Sequence, residues 1–359
     1  MLRGIRALVA NKATKTIFKN LCLPKLMLTR LTFRQLEYCL AAGEFGSIAK
    51  AAEHIHISPS SISAAITQVE TELSVTLFIR RHAQGLSLTP VGVEVLKQIR
   101  LTLDQALSLY DIANNSQHLV RGPLRVGCFT PLAAMIAPEL CQGFARAHPG
   151  AEVLQIEDHH EGLIERLRNA QIDVAITYDL NVAESDIEFE ALASLPPFVI
   201  VSESDVLAQN RITSLKALAK RPMILLDLPL SREYFLSLFR EAGVSPTIAA
   251  RSTSPDVLRS LVANGVGYSL ANVRPRTNVS LDGKRLVSVN LKGQHRPMKL
   301  GLAWLKDQKL RNVVEAFMER CRTCISDGHI PGMSAPGFAG KVADSPSANP
   351  NEREISQGR

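Results

Sequence analysis

Apolar residues follow two rhythms along the chain. From residue 33 to about 114 they recur at three- and four-residue spacing; from 124 onward short unbroken runs alternate with such stretches. The first rhythm predicts a helical head, the second an α/β body. Thr32 stands ahead of Leu36, Cys39 and Leu40, which share one helix face, and Gly43 reads as that helix's stop. Ser47 opens a short second helix with Ile48, Ala51, Ala52 and Ile55 on one side. Ser58-Pro59 opens a third, because proline's missing N–H costs nothing at the first helical position. Its inward set is Ile62, Ala65, Ile66, Val69 and Leu73. Residues 80–89, with Gly85 and the alternating Leu86-Ser87-Leu88, suit a short hairpin. Pro90 then starts a long helix to about residue 114. Its stripe of Val93, Leu96, Ile99, Leu103, Leu107 and Tyr110 calls for a partner helix.

Arg121-Gly122-Pro123 breaks the helical rhythm. Strands are expected at 124–129, 153–156, 173–178, 198–202, 223–226, 267–270 and 299–305. Helices are expected at 133–147, 163–169, 231–242, 254–263 and 307–324. Such alternation predicts an α/β body with a mainly parallel sheet. Residues 328–359, rich in Pro, Gly, Ser, Ala and Asn, read as a disordered tail.

Length and charge sharpen this picture. The chain's 359 residues suggest two or three domains. No apolar run approaches the ~20 residues of a membrane helix, and six cysteines are too few for a disulfide framework, so a cytoplasmic protein is expected. The formal charge of +7 suggests a nucleic-acid partner. Almost all of that excess sits before Met27, in Arg3, Arg6, Lys12, Lys15, Lys19 and Lys25, with no acid among them. This stretch reads as a targeting segment, a phosphate-binding arm, or an extension ahead of a true start at Met27. A nucleic-acid reading must therefore rest on motif and geometry.

The motif is two short helices, a tight turn and a capped third helix, the parts of a helix-turn-helix. The start of the third helix would meet base edges. Small side chains collect there: Ser58, Ser60, Ser61, Ser63 and Ala64, followed by Thr67 and Gln68. Hydroxyls can bond bases or phosphates, and methyl groups can touch thymine. Ser47, Arg80, Arg81 and His82 complete the candidate DNA-binding set.

Phe33-Arg34-Gln35-Leu36, 46–52 (GSIAKAA), 58–63 (SPSSIS), Ile66, Glu70, Leu77-Phe78, Arg80, Leu88-Thr89 and Gly92 follow one order and spacing. In these residues the chain resembles the LysR-type transcriptional regulators. The likeness continues through 124–129, 171–176 (QIDVAI) and 258–270 (LRSLVANGVGYSL). It implies an N-terminal winged helix-turn-helix at 30–89, after an extension at 1–29, and a linker helix for dimerisation at 90–120. It also implies a two-lobed, periplasmic-binding-protein-like effector domain at 121–327, with lobe I at 121–196 and 297–327 and lobe II at 197–296. Dimers or tetramers on interrupted palindromes of double-stranded DNA, switched by a small and often anionic molecule, are the implied behaviour. Departures are Pro59, Ala64-Ala65, Ser74 in place of a usual glycine, and Ala83-Gln84 in the wing. They shift the expected weight from arginine–guanine contacts to phosphate positioning and DNA shape.

Ligands of two-lobed α/β domains lie at strand carboxyl ends and helix N-termini. The candidate effector residues there are Thr130, Asp158, His159, His160, Tyr178, Ser231, Arg232, Thr253 and Ser254, of which Arg232 could clamp a carboxylate. Hinges are expected near 195–199 and 289–297. No metal site, cofactor motif or catalytic constellation is expected. Cys321-x-x-Cys324 lacks a second pair, and the His54/His56 and His159/His160 pairs lack a third ligand at zinc spacing. A thiol- or metal-responsive regulator of the same family is the alternative. A solute-binding protein or an enzyme on the two-lobed fold is the rival class.

Overall fold

A computed structural model describes residues 30–81, 85–114, 120–179 and 186–334. The chain divides after Leu103 into two compact units.

The first unit holds α1 (Phe33–Phe45), α2 (Ile48–His54), α3 (Pro59–Leu73), the hairpin β1 (Phe78–Arg81) and β2 (Gly85–Leu88), and the first half of α4 (Pro90–Asn114). Thr32 caps α1, with Gln35 closing a capping box. Ser47 and Ser58 cap α2 and α3. Gly43 does not stop α1. The helix runs on to Phe45 and ends at Gly46, at φ 56° in the left-handed region. Gly43 serves packing instead, since a Cβ there would collide with Leu96. Ser74 takes the left-handed conformation (φ 55°, ψ 38°) that a glycine would favour, so the turn keeps its shape. Ile62, Ala65, Ile66 and Val69 are buried as expected, whereas Leu73 is exposed beside that turn. Glu70 Oε1 accepts from the backbone N–H groups of Leu77 (2.7 Å) and Phe78 (3.2 Å) and so fixes the hairpin root. The Leu86 N–H donates to Gly46 O at 2.7 Å and ties the hairpin to the turn after α1.

The second unit has two lobes. In lobe I a sheet in the order β4-β3-β5-β13-β6 comprises β3 (Arg121–Phe129), β4 (Gly150–Asp158), β5 (Val174–Tyr178), β6 (Ile187–Leu195) and β13 (Met298–Leu305). The helices α5 (Thr130–Ala147), α6 (His160–Arg168) and α10 (Asn312–Cys324) belong to it. Lobe II has a sheet in the order β11-β7-β12-β8, from β7 (Phe198–Ser202), β8 (Ile212–Thr213), β11 (Ser269–Ala271) and β12 (Leu286–Leu291). A parallel pair, β9 (Pro222–Leu226) and β10 (Thr247–Ser252), joins it through the Ile224 N–H donating to Tyr268 O at 2.7 Å and the Tyr268 N–H donating to Pro222 O at 3.0 Å. The lobe II helices are α7 (Leu215–Leu218), α8 (Pro229–Glu241) and α9 (Pro255–Ala263).

The sheets are mixed rather than mainly parallel. β13 runs antiparallel to β5 and β6, and β7 runs antiparallel to β11 and β12. The reason is that the chain crosses between lobes twice, at Pro196-Pro197 and at 292–297, and each return reverses a strand. The last helix starts at Asn312, not at 307, where Asp307 takes a left-handed φ of 59°.

Where the sequence suggested disorder from 328, the chain is packed up to 334. Asp327 Oδ1 accepts from Ser194 N at 2.6 Å, while Ile330 and Met333 are buried in the core. Met333 pairs with Pro275, and Ser334 N donates to Arg274 O at 2.9 Å. Gly332 (φ 71°) presses on the Met135 carbonyl, where a Cβ would not fit. This strap therefore touches both lobes.

Candidate nucleic-acid interface and effector cleft

The capping hydroxyls place the polar face of α3. Ser58 Oγ accepts from Ser61 N at 3.2 Å and lies 2.9 and 2.8 Å from the hydroxyls of Ser60 and Ser61. Ser47 Oγ accepts from Lys50 N at 3.4 Å. Both caps thus work for their helices. Thr67 Oγ1 donates to Ser63 O at 3.0 Å, and the residue is exposed. Arg80 Nη2 donates to Ser63 Oγ at 3.2 Å and brings a guanidinium against the helix. Ser60, Ser63, Ala64, Thr67 and Gln68 line one open depression of about 690 Å³ with Arg30, Thr71 and Glu72. Those last three were missed by the sequence reading. Thr71 and Glu72 lie more than three turns beyond the capped start, and Arg30 precedes the first helix. Arg81 closes β1 opposite Gly85, and His82 lies outside the described residues.

In lobe I the last β3–β4 pair is Phe129 with Asp158, and Cys128 faces Ile176. Thr130, Asp158, His159 and Tyr178 thus share one sheet edge. In lobe II Leu226 pairs with Ser252, so Ser231, Arg232, Thr253 and Ser254 all follow the carboxyl ends of adjacent strands. Several expected ligand groups are engaged elsewhere. Asp158 Oδ1 is 2.5 Å from His159 Nδ1, and its Oδ2 accepts from Arg166 Nε at 2.7 Å. Burial raises the Asp158 pKa, but the Arg166 and His159 hydrogen bonds outweigh that and hold it below the usual carboxylate value. Arg232 is paired with Asp227 at 2.7 Å rather than held open as a carboxylate clamp. Ser254 caps α9 through Val257 N. His160 is buried with Nδ1 2.8 Å from Thr177 Oγ1. Thr130 follows the N-cap, Phe129, and is exposed.

Tyr178 and Ser231 are both buried. Tyr178 stacks edge-on against Phe129 at 5.3 Å. Burial pushes its hydroxyl pKa up; Asn272 and Tyr234 of lobe II lie near enough to influence it, although no hydrogen bond of good geometry reaches it. Asn272 Nδ2 sits on Met298 Sδ at 2.6 Å, and Tyr234 donates to Arg296 O at 2.6 Å. Arg296 pairs with Asp179 at 3.5 Å. These residues meet at the lobe crossings, a site that no local pattern announces.

The thiols of Cys128, Cys141 and Cys321 are buried. Burial pushes the Cys141 pKa up to about 11, and burial raises Cys128 and Cys321 further. Among the described residues no group of three His, Cys, Asp or Glu is placed to hold a metal, and no helix is long and apolar enough to cross a membrane.

Residues 33–93 match the model of the bacterial regulatory helix-turn-helix proteins of the lysR family, and residues 117–324 match the LysR substrate binding domain. The chain belongs to the LysR family. It is a DNA-binding transcriptional regulator with an effector-binding domain, not an enzyme. It is similar to HinK, a LysR family transcriptional regulator from Pseudomonas aeruginosa, at 34% identity and a TM-score of 0.56. That likeness covers 82% of this chain and 99% of HinK. It is 27% identical to the HTH-type transcriptional regulator YvbU of Bacillus subtilis, over 81% of this chain and 98% of YvbU. It is 26% identical to the DNA-binding transcriptional dual regulator OxyR of Escherichia coli, over 83% of this chain and 97% of OxyR.

Proposed function

We propose that this regulator reads the major groove with the first half of α3 and grips phosphates with Arg80, Arg81 and His82. The observation that carries the reading is the exposed α3 face of Ser60, Ser63, Ala64, Thr67 and Gln68. Side chains this short let base-pair edges approach closely, and the Arg80 guanidinium stands beside them. Self-association through α4, where Leu109 and Tyr110 are more than half exposed, would present two such helices to the half-sites of an interrupted palindrome. The test is binding of the full chain to a library of randomised duplexes. Ala64→Glu is expected to weaken specific binding at least about 100-fold, because a carboxylate then faces the groove and its phosphates. Unchanged binding by this variant would sink the reading.

The effector is a small anion held between the lobes. Helix N-termini at Thr130, His159, Ser231 and Ser254, set at strand ends, support an anionic ligand. A carboxylic acid that raises the melting temperature of the full chain, but not of Tyr178→Phe, is the expected result. A panel of small acids with no effect on the wild type would count against an anion. The likeness, at 25% identity, to the hydrogen peroxide-inducible genes activator of Dickeya chrysanthemi favours a second, thiol-responsive reading. Burial of Cys128, Cys141 and Cys321 opposes it, since a buried thiol yields little thiolate. Unchanged DNA binding after peroxide treatment is the outcome expected here.

A further inference from the structure

Three hydrogen-bonding groups in the head form a relay whose direction is fixed by chemistry. The backbone N–H of Thr32 can only donate, and it donates to Gln35 Oε1 at 2.8 Å. The other end of the Gln35 amide must then be Nε2, which also can only donate. It reaches Gln68 at 2.7 Å, so the Gln68 atom facing it must be the acceptor, Oε1. Gln68 is thereby left with its own Nε2 directed away from Gln35, as a donor. Gln68 sits on the exposed α3 face between Thr67 and Thr71.

We infer that Gln35, a residue of α1, sets which bases Gln68 reads, by locking its amide with the donor outward. The inference rests on the reading that α3 enters the major groove. A free glutamine pairs bidentately with adenine, accepting from N6 and donating to N7. Here Gln35 takes one lone pair of Oε1 and fixes the amide with Nε2 as its outermost group, while the second lone pair stays available. An amide locked with its donor outermost favours edges that offer an acceptor, guanine N7 and O6, thymine O4 or adenine N7, and disfavours cytosine, whose edge offers only the N4 donor. Gln35 is a positioning residue. It does two jobs with one amide, closing the capping box of α1 on one side and orienting a base reader on the other.

The relay can be reversed without breaking the cap. In Gln35→Glu the carboxylate accepts from Thr32 N–H as a capping-box glutamate does. It also accepts on its other oxygen, so Gln68 must turn its Nε2 inward and its Oε1 outward. The base preference at that position should then invert to donor edges, adenine N6 or cytosine N4. The experiment is competitive binding of the full chain to randomised duplexes, read as preference at each position, with melting temperatures measured alongside. The wild type is expected to favour guanine or thymine over cytosine at one position by about tenfold. Gln68→Ala should erase that preference, Gln35→Ala should narrow it and admit cytosine, and Gln35→Glu should invert it at a near-native melting temperature. The added charge lowers affinity for all sequences together, which leaves the preference interpretable. If Gln68→Ala and Thr67→Val both leave every preference unchanged, α3 is not the reader and the underlying function fails. If Gln68→Ala erases a preference that Gln35→Glu leaves as in the wild type, the function stands and the relay is overturned.

Discussion

The exposed α3 face of the helical head and the interior of the α/β body use polar groups in opposite ways. On that face the informative groups lie outside: serine hydroxyls, the Thr67 hydroxyl and the Gln35–Gln68 amides, each held by neutral hydrogen bonds. In the body charges are taken inside. Arg125 donates to Asp173 at 2.8 Å and to Asp104 at 2.6 Å, and Arg311 joins them at 3.0 Å from Asp173, a contact that lacks hydrogen-bond geometry. Each of these side chains is less than one-fifth exposed. Burial alone would disfavour the Arg125 cation, but Asp173 and Asp104 more than compensate and hold it charged. A surface meant to meet a partner keeps its groups exposed and lightly tied. A body that must hold the strands and helices of one lobe in register can use buried charge, which is costly to break and specific in geometry.

This contrast can be broken most directly at the buried charges. Arg125→Met leaves Asp104 and Asp173 short of a counter-charge and should cost about 3–5 kcal/mol in chemical unfolding of the body. Arg80→Ala in the head should cost less than about 1 kcal/mol. Equal losses would erase the distinction. Next in size is the strap. Ending the chain after Asp327 removes buried Ile330 and Met333 and should lower stability by about 2–4 kcal/mol, seen as a lower melting temperature of the full chain. Smaller and opposite in sign is Ser74→Gly. It should gain about 1 kcal/mol, because φ 55° strains any residue with a Cβ, and a urea midpoint would report the rise.

The smallest effect is a pH dependence at Asp158. Its folded pKa lies below the unfolded value. Its stabilisation is therefore complete above about pH 4 and is lost as pH falls through the folded value. The stability gap between wild type and Arg166→Gln should be open at pH 7 and shrink below about pH 3. A gap that widens in acid would contradict the pairing.

Much of the head was readable along the chain because its signals are local. A hydroxyl before a helix, a proline at its first position and a 3/4 apolar rhythm act within a few residues, and Ser47, Ser58 and Pro59 do what they suggest. The misses have physical causes. Gly43 looked like a stop, but its role lies in contact with Leu96, some fifty residues on. The strands β6, β10 and β12 escaped because polar or small residues interrupt their apolar positions, so none forms the unbroken apolar run that marked the other strands. Asp158 and Arg232 looked open to a ligand, but Arg166 and Asp227 engage them. The strap looked like a tail, since small and turn-forming residues mark disorder only until something covers them.

The sequence by itself determined the helix starts of the head, the family motif and the alternation that makes an α/β body, because each depends on spacing within one element. Tertiary structure alone decided the strand directions, the buried quartet around Arg125, the strap and the partner of Gln68. These join residues that are distant along the chain, and only folding sets their distances and the order in which donors meet acceptors.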